Sequence, residues 1–524
     1  MSELEHKTEY NDVDEKGVVA TPNGLVLNAS GHEDVLTRQY SIWSLIGLAL
    51  TVDNAWIALG GSLYLSLYNG GPPGILYELI VAVIYYLFIG ACIAEFASAI
   101  PSAGGVYHWA SITPGPGVGR MLGFFTGSIN FFGWMFDLAS IAQIEAEVSV
   151  QLYASLHTDL VIQPWHTYVA FLLLTWLSVL FCIFCNNLIP KLQNTGLFII
   201  LAGGLTTIIV LAAMPKQHAS TATVFRDWEN GTGWPSGVAF LTGCLNGAFT
   251  IGTPDAITHL AEELPNPARD LPKAIFIQIG LGGITAFLFA VAVLYGINDF
   301  SAVQSSNGAF PLAEAYNQAT GSAGATFGLL FIIFLSLLIC LVGTFLTLSR
   351  IWWALARDNA TPFSSFFSKV NTRLSCPVPA LILIGILDIT VCVICTGLGA
   401  ITLGSKTAFA DLAGSFIILS TTSYALPIIG HLAKGRRSIR PGPFWMGKAG
   451  FPVQIIAVLA IIIFNIFYCF PPALPTTTES MNYNSVILVG VLVLTAIWWV
   501  IHGMRKYEGP KIALLHTEGI EPVH

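Results

Sequence analysis

Charged side chains are scarce in this sequence of 524 residues. Lys, Arg, Asp and Glu make up 10% of it, hydrophobic residues make up 54%, and the mean hydropathy is +0.70. Soluble domains carry about 25% charged residues, so this chain has too few polar side chains to cover a surface facing water. The composition predicts an integral membrane protein in contact with a lipid bilayer. It gives no reason to expect a nucleic acid as partner.

Motifs for nucleotide, metal or covalent chemistry are also lacking. No G-x-x-x-x-G-K-[ST] loop is present, which argues against an ATP-driven pump. The 11 His are scattered, so we expect neither an enzyme nor a metal site. Cys182-x-x-Cys185 and Cys392-x-x-Cys395 lie in apolar runs, where cysteine is usually a packing residue. We therefore expect no cofactor and no disulfide framework.

Twelve apolar runs are each long enough to cross a bilayer as a helix. They begin near Ser41, Ile75, Met121, Thr167, Leu192, Gly237, Ala274, Thr326, Val378, Ala408, Pro452 and Val486. With the N-terminus placed in the cytoplasm, all but Lys216, Arg226 and Lys406 of the 22 Lys and Arg fall on the inner side. The positive-inside rule thus favours twelve spans with both termini cytoplasmic.

Two of these runs are interrupted. The first contains Thr51-Val-Asp-Asn-Ala-Trp56, and the sixth contains Gly247, Gly252 and Pro254. Paired interruptions in two halves of a chain are typical of a transporter binding site, because irregular backbone at membrane depth must line a cavity or be buried in protein. The alternative is that Gly and Pro only kink two packed helices.

The spacing of the interruptions predicts an all-α fold with a five-plus-five inverted repeat and broken helices 1 and 6. A disordered tail at 1–38 precedes a transporter domain at 39–507, and a second tail occupies 508–524. The repeats cover about 41–214 and 236–433, and helices 11 and 12 cover about 451–503.

Three segments resemble motifs of the amino acid–polyamine–organocation superfamily: Glu95–Trp109, Asp255–Ile275 and Arg350–Pro362. Gly442–Phe451 is similar to the branch of fungal amino acid/choline permeases. The resemblance implies uptake of choline, GABA or another amino acid at the plasma membrane, with a proton as a possible co-substrate. Many relatives hold a substrate carboxylate at small residues in helix 1, where this chain has Trp56-Ile57-Ala58. That departure favours a cation or an ω-amino acid.

The interrupted runs supply the candidate substrate site. We expect Asp53 to contact a substrate cation or to cap the half-helix that follows it. Trp56 is expected to stack on an ammonium group, or else to fill space against a neighbouring helix. The remaining candidate ligands are Asn54, Trp134, Asn246, Phe249 and Thr250.

Helix 3 places Asn130, Trp134, Asp137 and Glu145 on one face, since they are spaced by three, four and eight residues. Asp137 and Glu145 are candidates for carrying a proton or pairing with a cation. The alternative is an interhelical hydrogen bond. Asn230-Gly-Thr, in an outer loop, is a candidate glycosylation site.

Taken together, the sequence predicts a secondary transporter that works by alternating access. A transporter-like nutrient sensor, which would be a receptor, and a channel are the alternatives. Broken helices favour a carrier over a channel.

Overall fold

The computed structural model describes residues 18–20, 26–28, 30–32, 35–157, 159–305, 310–398, 406–477 and 481–511. Most of the predicted N-terminal tail and residues 512–524 of the predicted C-terminal tail lie outside the described residues. The side chains of Cys392 and Cys395 also lie outside the described part.

Helices make up almost all of the described chain. They are α1 (Ile42–Asp53), α2 (Ala55–Gly61), α3 (Leu63–Ala99), α4 (Val106–Ile112), α5 (Pro116–Leu156), α6 (Pro164–Phe184), α7 (Ile189–Ala213), α8 (Thr221–Phe225), α9 (Ser236–Thr250), α10 (Pro267–Gly296), α11 (Phe300–Ser305), α12 (Pro311–Thr320), α13 (Ala323–Arg357), α14 (Ser364–Phe367), α15 (Val378–Leu398), α16 (Lys406–Ala433), α17 (Gly450–Tyr468), α18 (Asn484–Trp498) and α19 (Met504–Lys506). Short 3-10 turns cover Asn186–Leu188, Ala256–Glu263 and Gly447–Ala449, and a π-helical turn covers Trp499–Gly503. Strands β1 (Val18–Ala20) and β2 (Val26–Asn28) pair antiparallel near the N-terminus.

Nine helices among the described residues are long and apolar enough to cross a membrane. They correspond to nine of the twelve predicted runs. The runs that begin near Met121, Gly237 and Val378 correspond to α5, α9 and α15. Of these, α9 has only 15 residues because the sixth run is broken. Twelve spans therefore remain a prediction, whereas the helical class is confirmed.

The first run is broken at one residue. Ser41 caps the start of α1 by accepting a hydrogen bond from the Ser44 amide. Asn54 then adopts a left-handed conformation, with φ 44° and ψ 39°, and separates α1 from α2. Asn enters this region more readily than most residues do. The break predicted in helix 1 is thus confirmed, and it lies at Asn54.

The sixth run is broken more widely. Helix α9 ends at Thr250, the chain continues without α-helix, and a 3-10 turn runs from Ala256 to Glu263. Pro254 has no amide hydrogen to donate, so the helical ladder cannot continue through it. The second predicted break is therefore confirmed.

The broken segments lie inside the bundle. Helix α1 packs against α7, α10 and α13, while α9 packs against α3. We call the side on which α1 begins the near side and the side on which α2 ends the far side. On the near side, the backbone amide of Tyr40 donates a hydrogen bond to the carbonyl of Glu263. On the far side, the backbone amide of Gly231 donates one to the carbonyl of Tyr68.

Candidate functional site

One carboxylate joins the two breaks. Asp53 is the last residue of α1, and its Oδ1 accepts hydrogen bonds from Thr253 Oγ1 at 3.0 Å and from Gln278 Nε2 at 3.1 Å. Thr253 lies in the second break, and Gln278 lies in α10. Asp53 Oδ2 accepts no hydrogen bond among the described residues. The hydrogen bonds of Asp53 thus reach across the bundle, and no side chain caps the start of α2.

Glycine lets α10 approach this carboxylate. A Cβ placed on Gly282 would lie 2.8 Å from Asp53 Oδ2, closer than real Cβ atoms come to a neighbouring atom. The space beside Oδ2 is therefore lined by backbone of α10. Asn54, the next residue, is fully buried, and neither atom of its amide has a hydrogen-bond partner among the described residues.

A second carboxylate, Asp255, lies at the end of the sixth-run break. Its Oδ2 accepts hydrogen bonds from Asn130 Nδ2 at 2.9 Å and from Trp134 Nε1 at 3.2 Å, both in α5. Its Oδ1 accepts one from Tyr424 OH of α16 at 2.5 Å. His259 Nε2 lies 3.4 Å from Oδ2. The predicted ligand Trp134 is therefore bonded to a residue of the second break.

The two candidate aromatic rings lie against different neighbours. Trp56 pairs with Phe289 of α10 at a centroid distance of 5.3 Å, and a Cβ on Gly204 of α7 would lie 3.1 Å from its Nε1. Phe249 lies 6.4 Å from Phe416 in an edge contact. Among the described residues, Trp56 and Phe249 thus do not form one cage. Trp56 lies against α7 and α10, as expected for the alternative role of filling space against a neighbouring helix.

Two predicted polar ligands lie in α9. Ser62, at the junction of α2 and α3, donates a hydrogen bond to Asn246 Oδ1. Asn246 Nδ2 has no partner among the described residues. Thr250 Oγ1 donates to Asn246 O at 2.8 Å, so its hydroxyl is used within its own helix. Asn246 is therefore the better placed of the two to meet a ligand.

Asp137 and Glu145 are buried in α5, with exposed fractions of 2% and 0%. Asp137 Oδ2 has no hydrogen-bond partner among the described residues. Neither carboxylate oxygen of Glu145 has a hydrogen-bond partner among the described residues. The side-chain hydrogen bond weighed as an alternative for Glu145 is thus not formed within the described part of the chain.

Among the described residues, the basic neighbour of this group of carboxylates is His259, which lies beside Asp255. Where the chain is described, no Lys or Arg forms an ion pair with Asp53, Asp137, Glu145 or Asp255. Burying carboxylates without a cation is costly unless each takes a proton or meets a positive ligand. The arrangement is suited to bind a cation or to carry protons.

A small cavity of about 60 Å³ opens on the far side between α3, α9, α16 and α17. Asn246 is the one predicted ligand among its lining residues. Asp411 and three aromatic residues also line it: Phe467, Tyr468 and Phe470.

Comparison with known proteins identifies the family. The family model described as "Amino acid permease" matches residues 40–493. The chain belongs to this family. It is also 33% identical to a choline transporter of Saccharomyces cerevisiae over 95% of this chain and 86% of that one. An amino-acid permease of Arabidopsis thaliana is 26% identical over 92% of this chain and 95% of that one.

Solved structures give the same fold. A manganese transporter of Eremococcus coleocola has a TM-score of 0.56 at 13% sequence identity, and the match covers 90% of this chain and 99% of that one. This permease is therefore a multi-pass membrane transporter of a small molecule, with the predicted paired broken helices. The resemblance noted in the sequence is confirmed.

The near side of the permease is closed by ion pairs. Arg350 contacts Glu263 at 2.9 Å and Arg357 contacts Glu262 at 2.7 Å. Burial raises the pKa of the Glu262 carboxyl, but the charge and hydrogen bonds of Arg357 outweigh it and leave that pKa below its usual value. These residues therefore seal the bundle on the side opposite the cavity.

Asn230 lies in the far-side loop and is partly exposed. Its Oδ1 accepts a hydrogen bond from Thr232 Oγ1 at 2.7 Å, and its Nδ2 donates to Trp234 O at 2.6 Å. Glycosylation there stays a prediction. The seven cysteines described are free thiols.

Sequence reasoning missed Asp255 and Glu78 as candidate site residues. Asp255 follows Pro254 directly, so its position at a helix break was the available sign. Glu78 is a charged residue within an apolar run and is 1% exposed in α3. Its carboxylate lies against Gly243 of α9, where a Cβ would be 2.1 Å from Oε1.

Proposed function

We propose that this permease imports a small organic cation across the plasma membrane, with both termini in the cytoplasm. Choline is the first candidate, and GABA and other amino acids are the alternatives. The observation that carries the proposal is the group of buried carboxylates that no Lys or Arg of the described residues neutralises. A substrate that brings one positive charge stabilises such a group, whereas a free anion is repelled by it.

The two sides of the bundle support an alternating-access cycle. On the far side, which is extracellular in this proposal, a cavity reaches Asn246, which bonds to Ser62 at the end of α2. On the near side, ion pairs between Arg350 and Glu263 and between Arg357 and Glu262 close the bundle. Opening the near side requires these pairs to separate as the broken helices move.

Asp53 is the proposed contact for the substrate cation, because its Oδ2 has no hydrogen bond among the described residues. Substrate binding at Asp53 would then affect the second break through the hydrogen bond between Asp53 and Thr253. Asp137 and Glu145 are the proposed proton carriers, since burial without a basic partner favours the protonated acid.

The test is uptake of labelled choline, GABA and a panel of amino acids in cells that lack their own carriers, at two pH values. We expect saturable uptake of choline that excess unlabelled choline inhibits. Asp53→Asn should abolish most of it. Asp388→Asn is the matched control, because Asp388 is a buried carboxylate of α15 held by Thr175 Oγ1 at 3.0 Å, away from both breaks.

Equal surface expression of both variants is required for the comparison. Full uptake by Asp53→Asn would remove Asp53 from the site and leave the family assignment intact. Absence of saturable uptake for every compound in the panel would contradict the proposed substrate class.

A further inference from the structure

The far-side cavity has a composition that the central site lacks. One wall carries Phe467, Tyr468 and Phe470, and Asp411 of α16 faces the same space. Rings of Phe467 and Phe470 lie 5.2 Å apart at 50°. Several aromatic faces beside one carboxylate form the usual surroundings of an ammonium ion in proteins.

Asp411 presents a carboxyl group to this cavity. Its Oδ1 accepts a hydrogen bond from the Tyr483 amide at 3.0 Å, which fixes the direction of the carboxylate. Within the described ranges it forms no ion pair with Lys or Arg. The side chain is only partly buried, so a ligand can reach it from the cavity.

The aromatic wall is held in place before any ligand arrives. Tyr468 OH lies 3.0 Å from Tyr85 OH, and its ring stacks with Phe464 at 5.8 Å. Asn482 Nδ2 donates to Tyr468 O and to Phe470 O, both at 2.8 Å. A wall that is already ordered loses little conformational entropy on binding, which favours affinity.

We propose that this cavity is a second binding site, which takes a quaternary or primary ammonium ion between Asp411 and the aromatic wall. The inference rests on the proposed transport of an organic cation, and it adds a step before the central site. Asn246 lines the cavity and accepts a hydrogen bond from Ser62 at the end of α2, the half-helix that follows the first break. An ammonium ion captured at Asp411 would pass α2 on its way to Asp53.

Binding is measured by calorimetry on the purified full chain, with choline as the probe and 3,3-dimethylbutan-1-ol as its uncharged analogue. The Asp53→Asn background removes the proposed central contact. In that background we expect saturable binding of choline and none of the alcohol. Asp411→Asn should weaken choline binding by about tenfold, the effect of losing one charge interaction partly shielded from water.

Three further variants test the charge, the folding control and the aromatic contact. Asp411→Glu keeps the charge and should bind choline within a few-fold of the parent. Asp299→Asn is the matched control, because Asp299 Oδ1 also accepts a backbone hydrogen bond, from Ala302 N at 3.0 Å, outside the cavity. It should bind as the parent does. Phe470→Leu should weaken binding several-fold by removing one aromatic face.

The inference is overturned if Asp411→Asn binds choline as tightly as the parent, or if the Asp53→Asn background shows no saturable choline binding. Its failure differs from failure of the proposed function. Choline uptake by the wild-type chain without Asp411-dependent binding would contradict only this site. Asp411-dependent binding without uptake would contradict only the transport proposal.

Discussion

Thr253 Oγ1 donates a hydrogen bond to Asp53 Oδ1 at 3.0 Å, and this contact links the two helix breaks. The residues are 200 positions apart in the chain, so their meeting depends on how the two halves pack. Gln278 Nε2 donates to the same oxygen and to Thr253 O at 2.9 Å. Asp53, Thr253 and Gln278 therefore form one hydrogen-bonded group at the crossing of the breaks.

Replacing Thr253 by Val should impair transport. Val keeps the shape of Thr but removes a donor to a buried carboxylate, a bond worth about 1.5–3 kcal/mol when one partner is charged. We expect lower uptake and a lower melting temperature in detergent. Thr285→Val in α10 is the control, because its hydroxyl bonds only to carbonyls of its own helix. Equal losses in both variants would show that Asp53 needs no hydroxyl at position 253.

Asn54 should tolerate Gly but not Val. Its φ of 44° lies in the left-handed region, where a residue branched at Cβ costs roughly 1–2 kcal/mol and Gly costs little. Its side-chain amide forms no hydrogen bond within the described residues, so Gly removes none. Thermal unfolding of the purified variants measures the difference. A Val variant as stable as wild type would mean that the break does not require this conformation.

Gly247→Ala should separate α3 from α9. The added Cβ would lie 2.9 Å from Leu79 Cα and 3.1 Å from Glu78 O, both backbone atoms of α3, and forcing an extra methyl group into a packed contact costs about 1–3 kcal/mol. Gly237→Ala in the same helix is the matched control, since a Cβ there meets nothing within 4 Å. We expect loss of thermal stability only for Gly247→Ala. Similar melting temperatures for the two variants would contradict the close contact.

The segment before α1 should detach from the near side as the pH falls. His32 Nε2 lies 2.8 Å from Asp358 Oδ1, and Arg357 donates to Ser30 Oγ at 2.9 Å. Burial lowers the pKa of His32, and the positive charges of Arg357 and Lys511 lower it further. Asp358 raises this pKa, but the net pKa stays below its usual value. Burial would raise the pKa of Asp358, but hydrogen bonds from His108 and His32 hold it well below its usual range.

A histidine whose folded-state pKa lies below its free value docks in the neutral form. Docking is therefore complete above about pH 6.5, the free value, and weakens as the pH falls below it. Asp358 stays ionised throughout this range. Relative to the intrinsic exchange rate at each pH, the protection of the amides at 35–40 should fall on acidification, and His32→Gln should flatten that fall. An unchanged pH profile in the His32→Gln variant would assign the effect to another group.

Much of the fold was predictable from local pattern. Apolar runs gave the helices, and Pro254 with its neighbouring glycines marked the second break. The first break was predicted around Asp53–Trp56 and lies at Asn54, because a short amide side chain accepts the left-handed conformation. The pairing of side chains was not predictable in the same way. Helical periodicity gives the face a residue occupies, whereas packing decides which helix that face meets.

The membrane location, the two broken helices and the resemblance to the permeases could be inferred from the sequence alone. Composition and Gly and Pro positions act locally, so they can be read without a structure. The hydrogen bond of Asp53 with Thr253, the contact of Trp56 with Phe289, and the meeting of Asn130 and Tyr424 at Asp255 became known from the packed helices. These contacts join residues more than a hundred positions apart, and only the packing of distant helices brings them together.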